Sequence, residues 1–238
     1  MLRLEDVRIS YREVKVIDGI DLDIKEGKIT VLIGANGVGK TTIVNAIIGV
    51  NKPYAGRILY GKDGVDLVKV PAHRMTSYGV SICPEGRQLF PSMTVYENLE
   101  MGAYVRNDKE VRADIEKLFG QFPILGERRN QRARTLSGGE QEILAIARAL
   151  VIKPKMLILD EPSWGLAPLM IEEVMNVVRE VKETSDTTIL LVEQNASVAL
   201  KYADYAYLLD SDGRVALQGP ADEMLANEKV IEVYLGGI

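Results

Sequence analysis

The sequence predicts an α/β fold with an antiparallel β portion at its N-terminus and a helical lobe inserted partway along, on three observations. Apolar runs too short for most helices, at Ile29 to Ile33, Gly79 to Cys83, Lys155 to Glu161 and Thr188 to Val192, read as buried strands. A helix-then-strand rhythm links the later ones, with Ile171, Val174, Met175, Val178 and Lys182 marking an amphipathic helix before the last of them. Between the first run and a helix-like stretch, Thr42 to Ile48, lies a glycine-rich segment, Gly34-Ala35-Asn36-Gly37-Val38-Gly39-Lys40-Thr41. That strand-loop-helix order suits a phosphate cradle: glycines let the backbone N–H groups turn inward, and the helix adds its positive end. In such a loop Lys40 reaches the terminal phosphates and the Thr41 hydroxyl holds Mg²⁺.

The bulk numbers narrow the class. A chain of 238 residues with 47% hydrophobic composition has enough material for one large core. Its 29 basic and 34 acidic residues leave a net charge of −5, which does not favour a nucleic-acid partner. The longest uncharged stretches, Ile29 to Gly39 and Thr41 to Asn51, are 11 residues each, well short of the ~20 that span a bilayer. Met1 to Val7 carries Arg3, Glu5 and Asp6 and is not expected to act as an export signal. A single cysteine, Cys83, suits a reducing cytoplasm.

In chain order, Leu2 to Lys25 alternates apolar and polar residues, as half-buried antiparallel strands do. Tyr11 follows the first of them and is read either as an adenine-stacking ring or as an ordinary strand-end tyrosine. Arg57 to Tyr60 is a further short strand before the Gly61 to Gly64 turn. Pro84 ends the Gly79 to Cys83 strand, so Glu85 to Gln88 is a loop at a strand end, where binding groups collect. Val95 to Tyr104 and Lys109 to Phe119 are helical and start the inserted lobe. Arg128, Arg129, Arg132 and Arg134 read as a solvated loop, with a surface for anionic lipid or a partner as the alternative.

Leu136-Ser137-Gly138-Gly139-Glu140-Gln141 opens a helix. Ser137 with Glu140 makes a capping box, but two glycines in a first turn weaken a helix by up to ~1 kcal/mol each, so bare backbone there suggests a second anion site. Lys155 to Glu161 ends in Asp160 and Glu161. Carboxylates at the carboxyl end of a parallel strand stand where ligands bind; Asp160 is placed to hold Mg²⁺ and Glu161 to take a proton from water. The bland alternative is an acidic turn. Glu193-Gln194-Asn195 leaves its strand at the same edge, Tyr205 to Leu209 and Arg214 to Leu217 form a hairpin, and Ala221 to Leu235 is mostly helical.

Taken together, Gly34 to Thr41 resembles the Walker A motif, Leu136 to Gln141 the ABC signature and Met156 to Glu161 Walker B, and the chain resembles the ATP-binding subunit of an ABC transporter over its whole length. Pro84-Glu85-Gly86-Arg87, Gly165-Leu166-Ala167-Pro168 and Val192-Glu193-Gln194-Asn195 are similar to the shorter ATPase subunit of branched-chain amino acid importers, with urea or short-amide importers as near relatives. The resemblance implies a P-loop, RecA-like core (1–84 and 155–238) with a helical lobe (85–154), acting at the cytoplasmic face of the membrane with permease subunits and, indirectly, an external binding protein. It implies two ATPase subunits, identical or sister, sandwiching two ATP. Tyr11 with Val16 would pack on adenine, Gly34 to Thr42 (Ala35, Asn36, Gly37, Val38, Gly39, Lys40 and Thr41 among them) would hold phosphates and Mg²⁺, and Ser137, Gly138 and Gly139 of the opposite subunit would close on the γ-phosphate. Departures from the wider pattern are Glu85 for a glutamine, Gln194 for a histidine and Ala167 for an aspartate, while His73, the one histidine, lies in a loop far from the motifs. Gln194 bonds phosphate oxygen but takes no proton, so catalysis leans on Glu161, and Glu85 joins Thr41 and Asp160 near Mg²⁺. The alternative function is a nucleotide-gated clamp that hardly turns over.

Overall fold

The computed structural model describes residues 1–12, 14–228 and 230–231. β1 (Leu2–Tyr11) and β2 (Val14–Ile24) pair antiparallel and bury Leu2, Leu4, Val7 and Ile9 against Ile17, Ile20, Leu22 and Ile24. The apolar alternation slips by one residue between Leu4 and Val7, and the strand is irregular there, with Asp6 at φ 45°. β3 (Ile29–Ile33) leaves for a second sheet; after α1 (Lys40–Ile47) the chain returns as β4 (Ala55–Tyr60) and β5 (Val65–Asp66), giving the antiparallel order β2-β1-β4-β5.

The second sheet starts again at β6 (Val80–Cys83). Four helices follow, α2 (Val95–Gly102), α3 (Val111–Gln121), α4 (Pro123–Glu127) and α5 (Gly138–Leu150). Then come β7 (Met156–Asp160), α6 (Pro168–Thr184), β8 (Thr188–Glu193), α7 (Ala196–Ala199), β9 (Tyr205–Leu209), β10 (Val215–Pro220) and α8 (Ala221–Leu225). The strand order is β10-β9-β3-β8-β7-β6, parallel except for β10.

The central strands are apolar without a break because both faces are covered. Val31, Leu157, Leu159, Ile189 and Leu191 pack with α5 and α6, whereas Leu32, Ile158, Leu190 and Val192 join the core shared with α1 and the antiparallel sheet. Each fully buried side chain of this size contributes ~1.5–3 kcal/mol. Parallel pairing sets Ile33 beside Glu193 and Asp160 beside Val192, so the loops after β3, β7 and β8 leave at one edge.

Several local expectations change. Tyr11 is the last residue of β1, not a residue beyond it. His73 is exposed, as a surface residue should be, although it sits in a 3-10 turn, Ala72–Tyr78, and not an irregular loop. The basic cluster is partly tied down: Arg129 bonds Glu116 at 2.6 Å and lies over the Phe119 ring, and Arg128 pairs with Glu140 at 2.8 Å. Of the stretch expected to be mostly helical, Ala221 to Leu235, α8 ends at Leu225 and helix resumes at Glu228, Val230 and Ile231 after a turn, while residues 232–238 fall outside the described residues.

Candidate nucleotide site at the strand ends

The loop from β3 to α1 turns on Gly37 and Gly39, at φ 83° and 105°. A Cβ on Gly39 would come within 2.6 Å of Ile17 Cδ1, so neither the dihedral nor the space admits a side chain. Gly34 and Val38 are buried beneath the loop, while Ala35, Asn36 and Gly37 form its exposed crest. Gly39 caps α1 without any side-chain hydrogen bond, and the first turn holds no acid. The helix therefore presents unpaired N–H groups and positive dipole to a cleft of about 290 Å³ lined by Asn36, Gly37, Gly39, Lys40, Thr41, Thr42, Glu85, Glu161 and Trp164. A larger cavity, about 890 Å³ around Tyr60 and Lys155, shares no residue with it, so chemistry rather than size marks the site.

Lys40 is only 3% exposed and is turned back on its own loop: Nζ donates to the Gly34 and Ala35 carbonyls at 2.9 and 3.0 Å and meets Glu161 Oε1 at 3.0 Å. Glu161 is 9% exposed, so this is a buried ion pair between the expected phosphate-binding lysine and the expected catalytic carboxylate. Its own backbone lies in the left-handed region at φ 52°.

Next to it, Asp160 is buried and pushed up to about 6 by that burial, against the pull of the Thr41 hydroxyl bond; Glu161 and Glu85 push it further up. Its Oδ1 has no hydrogen-bond partner among the described residues. An orphaned buried carboxylate oxygen beside a hydroxyl and two further acids fits a divalent cation with oxygen ligands, and Thr41, Asp160 and Glu85 are the residues able to hold it.

A second cleft, about 360 Å³, continues past Trp164 and is lined by Glu161, Ser163, Glu193, Gln194 and Asn195. Gln194 is exposed at this edge. Glu193 was not among the sequence candidates. Its side chain is 1% exposed and burial pushes its carboxyl up to about 7, although Ser163 donates to both oxygens, N–H at 2.9 Å and hydroxyl at 2.7 Å. A glutamate closing an otherwise apolar strand was the available signal.

Val16 lies half-buried in β2, its side chain against Gly39. The Tyr11 side chain is outside the described residues. The structure does not bring Ser137, Gly138 and Gly139 to this cleft. They start α5, with both halves of the capping box formed: Ser137 Oγ accepts from the Glu140 N–H at 3.3 Å and Glu140 accepts from the Ser137 N–H at 2.8 Å. Ser137 and Gly138 are exposed. Gly139 is buried, and a Cβ there would stand 1.9 Å from Met170 Cε and 3.3 Å from Met170 Cβ, so close packing is a second reason for that glycine beside the expected anion site.

A parallel α/β sheet with a glycine-rich loop and helix after one strand and acids after a neighbour defines a P-loop nucleoside-triphosphate protein. The family described as "ABC transporter" matches residues 17–164, and the chain belongs to that family. It is 40% identical over 237 residues, 100% of both chains, to the high-affinity branched-chain amino acid transport ATP-binding protein BraG of Pseudomonas aeruginosa. It is 38% identical, over 99% of both, to a probable branched-chain amino acid transport ATP-binding protein LivF of Archaeoglobus fulgidus. A solved ATP-binding cassette of an ABC transporter, MJ1267, matches over 99% of both chains at a TM-score of 0.87 and 29% identity. The chain is a nucleotide-binding ATPase of the ABC type.

Proposed function

We propose that the chain hydrolyses ATP to drive an importer of branched-chain amino acids, as one of two paired ATPase subunits at the cytoplasmic face of the membrane, joined to permease subunits and fed indirectly by an external binding protein. The paired arrangement is carried by one observation: the exposed Ser137–Gly138 tip has no part in its own cradle. A tip from the second subunit would meet the γ-phosphate there, where the Ser137 hydroxyl, already an acceptor from Glu140 N–H, still has its proton to donate. In this reading Tyr11 and Val16 take the adenine, and the backbone from Gly34 to Thr42 takes the phosphates.

Lys40 exchanges Glu161 for phosphate oxygen, and the freed carboxylate takes the proton of the attacking water. The water oxygen bonds the γ-phosphorus as the bond to ADP breaks. Gln194 bonds a phosphate oxygen. Thr41, Asp160 and Glu85 would hold Mg²⁺, which neutralises charge on the phosphates when bound. Loss of the γ-phosphate parts the subunits, and residues 85–154 move against 1–84 and 155–238 to carry that motion to the permease. The substrate class is supported by the names of the Pseudomonas and Archaeoglobus relatives.

Glu161→Gln should lower turnover by about 10²–10⁴-fold, the usual reach of a general base, and accumulate ATP-bound dimers, read by light scattering. A variant that stays monomeric with ATP and Mg²⁺ would overturn the paired site. Uptake of labelled leucine, isoleucine and valine by vesicles carrying the native transporter checks the substrate; uptake of urea alone would replace it.

A further inference from the structure

The hydrolysis described above requires Glu161 to stand at one place, yet a non-glycine residue at φ 52° is strained and persists only where its surroundings hold it. Backbone bonds supply part of that hold: the Glu161 N–H donates to the Val192 carbonyl at 2.9 Å, and the Trp164 N–H to the Glu161 carbonyl at 3.0 Å. Between them sits Ser163, whose N–H and hydroxyl both donate to Glu193. One buried side chain thus joins the turn after β7 to the end of β8. Glu193 lies at the floor of the second cleft but is only 1% exposed, and both its carboxylate oxygens are already taken by Ser163.

We propose that Glu193 is a positioning residue for ATP hydrolysis: its carboxyl fastens the Ser163 turn that presents Glu161 to the strand end that presents Gln194. This rests on the reading of Glu161 as the base, which Glu161→Gln tests separately: wild-type turnover in that variant would sink the base itself, whatever Glu193 does.

The experiment measures kcat and KM for ATP on the full chain. Loosening a catalytic group by about 1 Å costs up to ~10²-fold, so Glu193→Ala should lower kcat by about 10- to 100-fold while KM for ATP stays within about threefold. Glu193→Gln keeps an oxygen to accept from Ser163 and should recover most of the loss. In a Glu161→Gln background, single-turnover rates should fall no further when Glu193→Ala is added, because the group it positions is already gone. Unchanged kcat in Glu193→Ala, a glutamine variant as slow as the alanine one, or an undiminished loss in the Glu161→Gln background would each overturn the proposal. Should Glu193→Ala fail to fold, Ser163→Ala removes the hydroxyl bond at a half-buried position; it should slow kcat several-fold, and an unchanged kcat there overturns the proposal equally.

Discussion

At α1 the helix begins on Gly39 with no side-chain cap and no acid in its first turn, whereas α5 begins on Ser137 with a complete capping box and Glu140 in its first turn. Both starts are glycine-rich, and both were read as anion sites from the sequence. Their finish differs because their duties differ. The α1 terminus leaves its N–H groups to an outside anion and adds the buried cation Lys40. At the α5 terminus the capping box satisfies the Ser137 and Glu140 N–H groups, and the charge of its capping carboxylate is offset by Arg128 at 2.8 Å. An uncapped helix end leaves room for a ligand of its own, whereas on the proposed reading the capped one contributes to a site completed by a second subunit.

The largest effect expected tests the uncapped end. Lys40→Ala removes a cation with three oxygen partners and leaves Glu161 as an uncompensated buried charge. Breaking such a pair costs roughly 3–5 kcal/mol, so urea unfolding should shift by that order at neutral pH, and ATP binding by fluorescence titration should be lost as well. If ATP binds normally, the cradle reading of α1 fails. At the capped end, Gly139→Ala drives a methyl against the flexible tip of half-buried Met170, which can swing aside, so it should cost at most about 1 kcal/mol. Adding Met170→Ala should return part of it; no relief would mean the glycine serves something other than close packing. Ser137→Ala removes the cap, worth about 1 kcal/mol, and should halt ATP-driven pairing while leaving nucleotide binding by a single protomer intact. Equal loss of both would erase the distinction between the two ends.

The parts of the site that act locally were legible in the sequence. Gly37, Gly39 and Lys40 are constrained by the turn they make, and Asp160 and Glu161 stand out as charges ending an apolar run. What was not legible depends on residues far apart in the chain. That Lys40 rests on Glu161 follows from β3 and β7 flanking β8 in one sheet. Glu193 looked like the start of a loop because a strand's last residue and a loop's first share the same composition. Its burial under Ser163 comes from the parallel pairing of β7 with β8. Arg129 reads as solvated and its side chain is 40% exposed; what the sequence does not show is that it lies beside Glu116 and Phe119 of α3. Local chemistry can be read from neighbours in sequence, but burial of a charge is decided by topology.

The smallest effect sharpens the comparison most. If Arg128 serves the fold, Arg128→Ala should cost only a few tenths of a kcal/mol, because a half-exposed ion pair is worth about 0–1 kcal/mol. If it offsets Glu140 at a tip that approaches triphosphate, the variant should also leave a bare carboxylate facing an anion, weakening ATP-driven pairing about two- to fivefold in low salt. That second loss is electrostatic between groups near solvent, so raising ionic strength from about 0.05 to 0.5 M, where the Debye length falls to a few ångströms, should remove most of it. A pairing defect that ignores salt would assign Arg128 to packing, and the capped end would then owe nothing to charge.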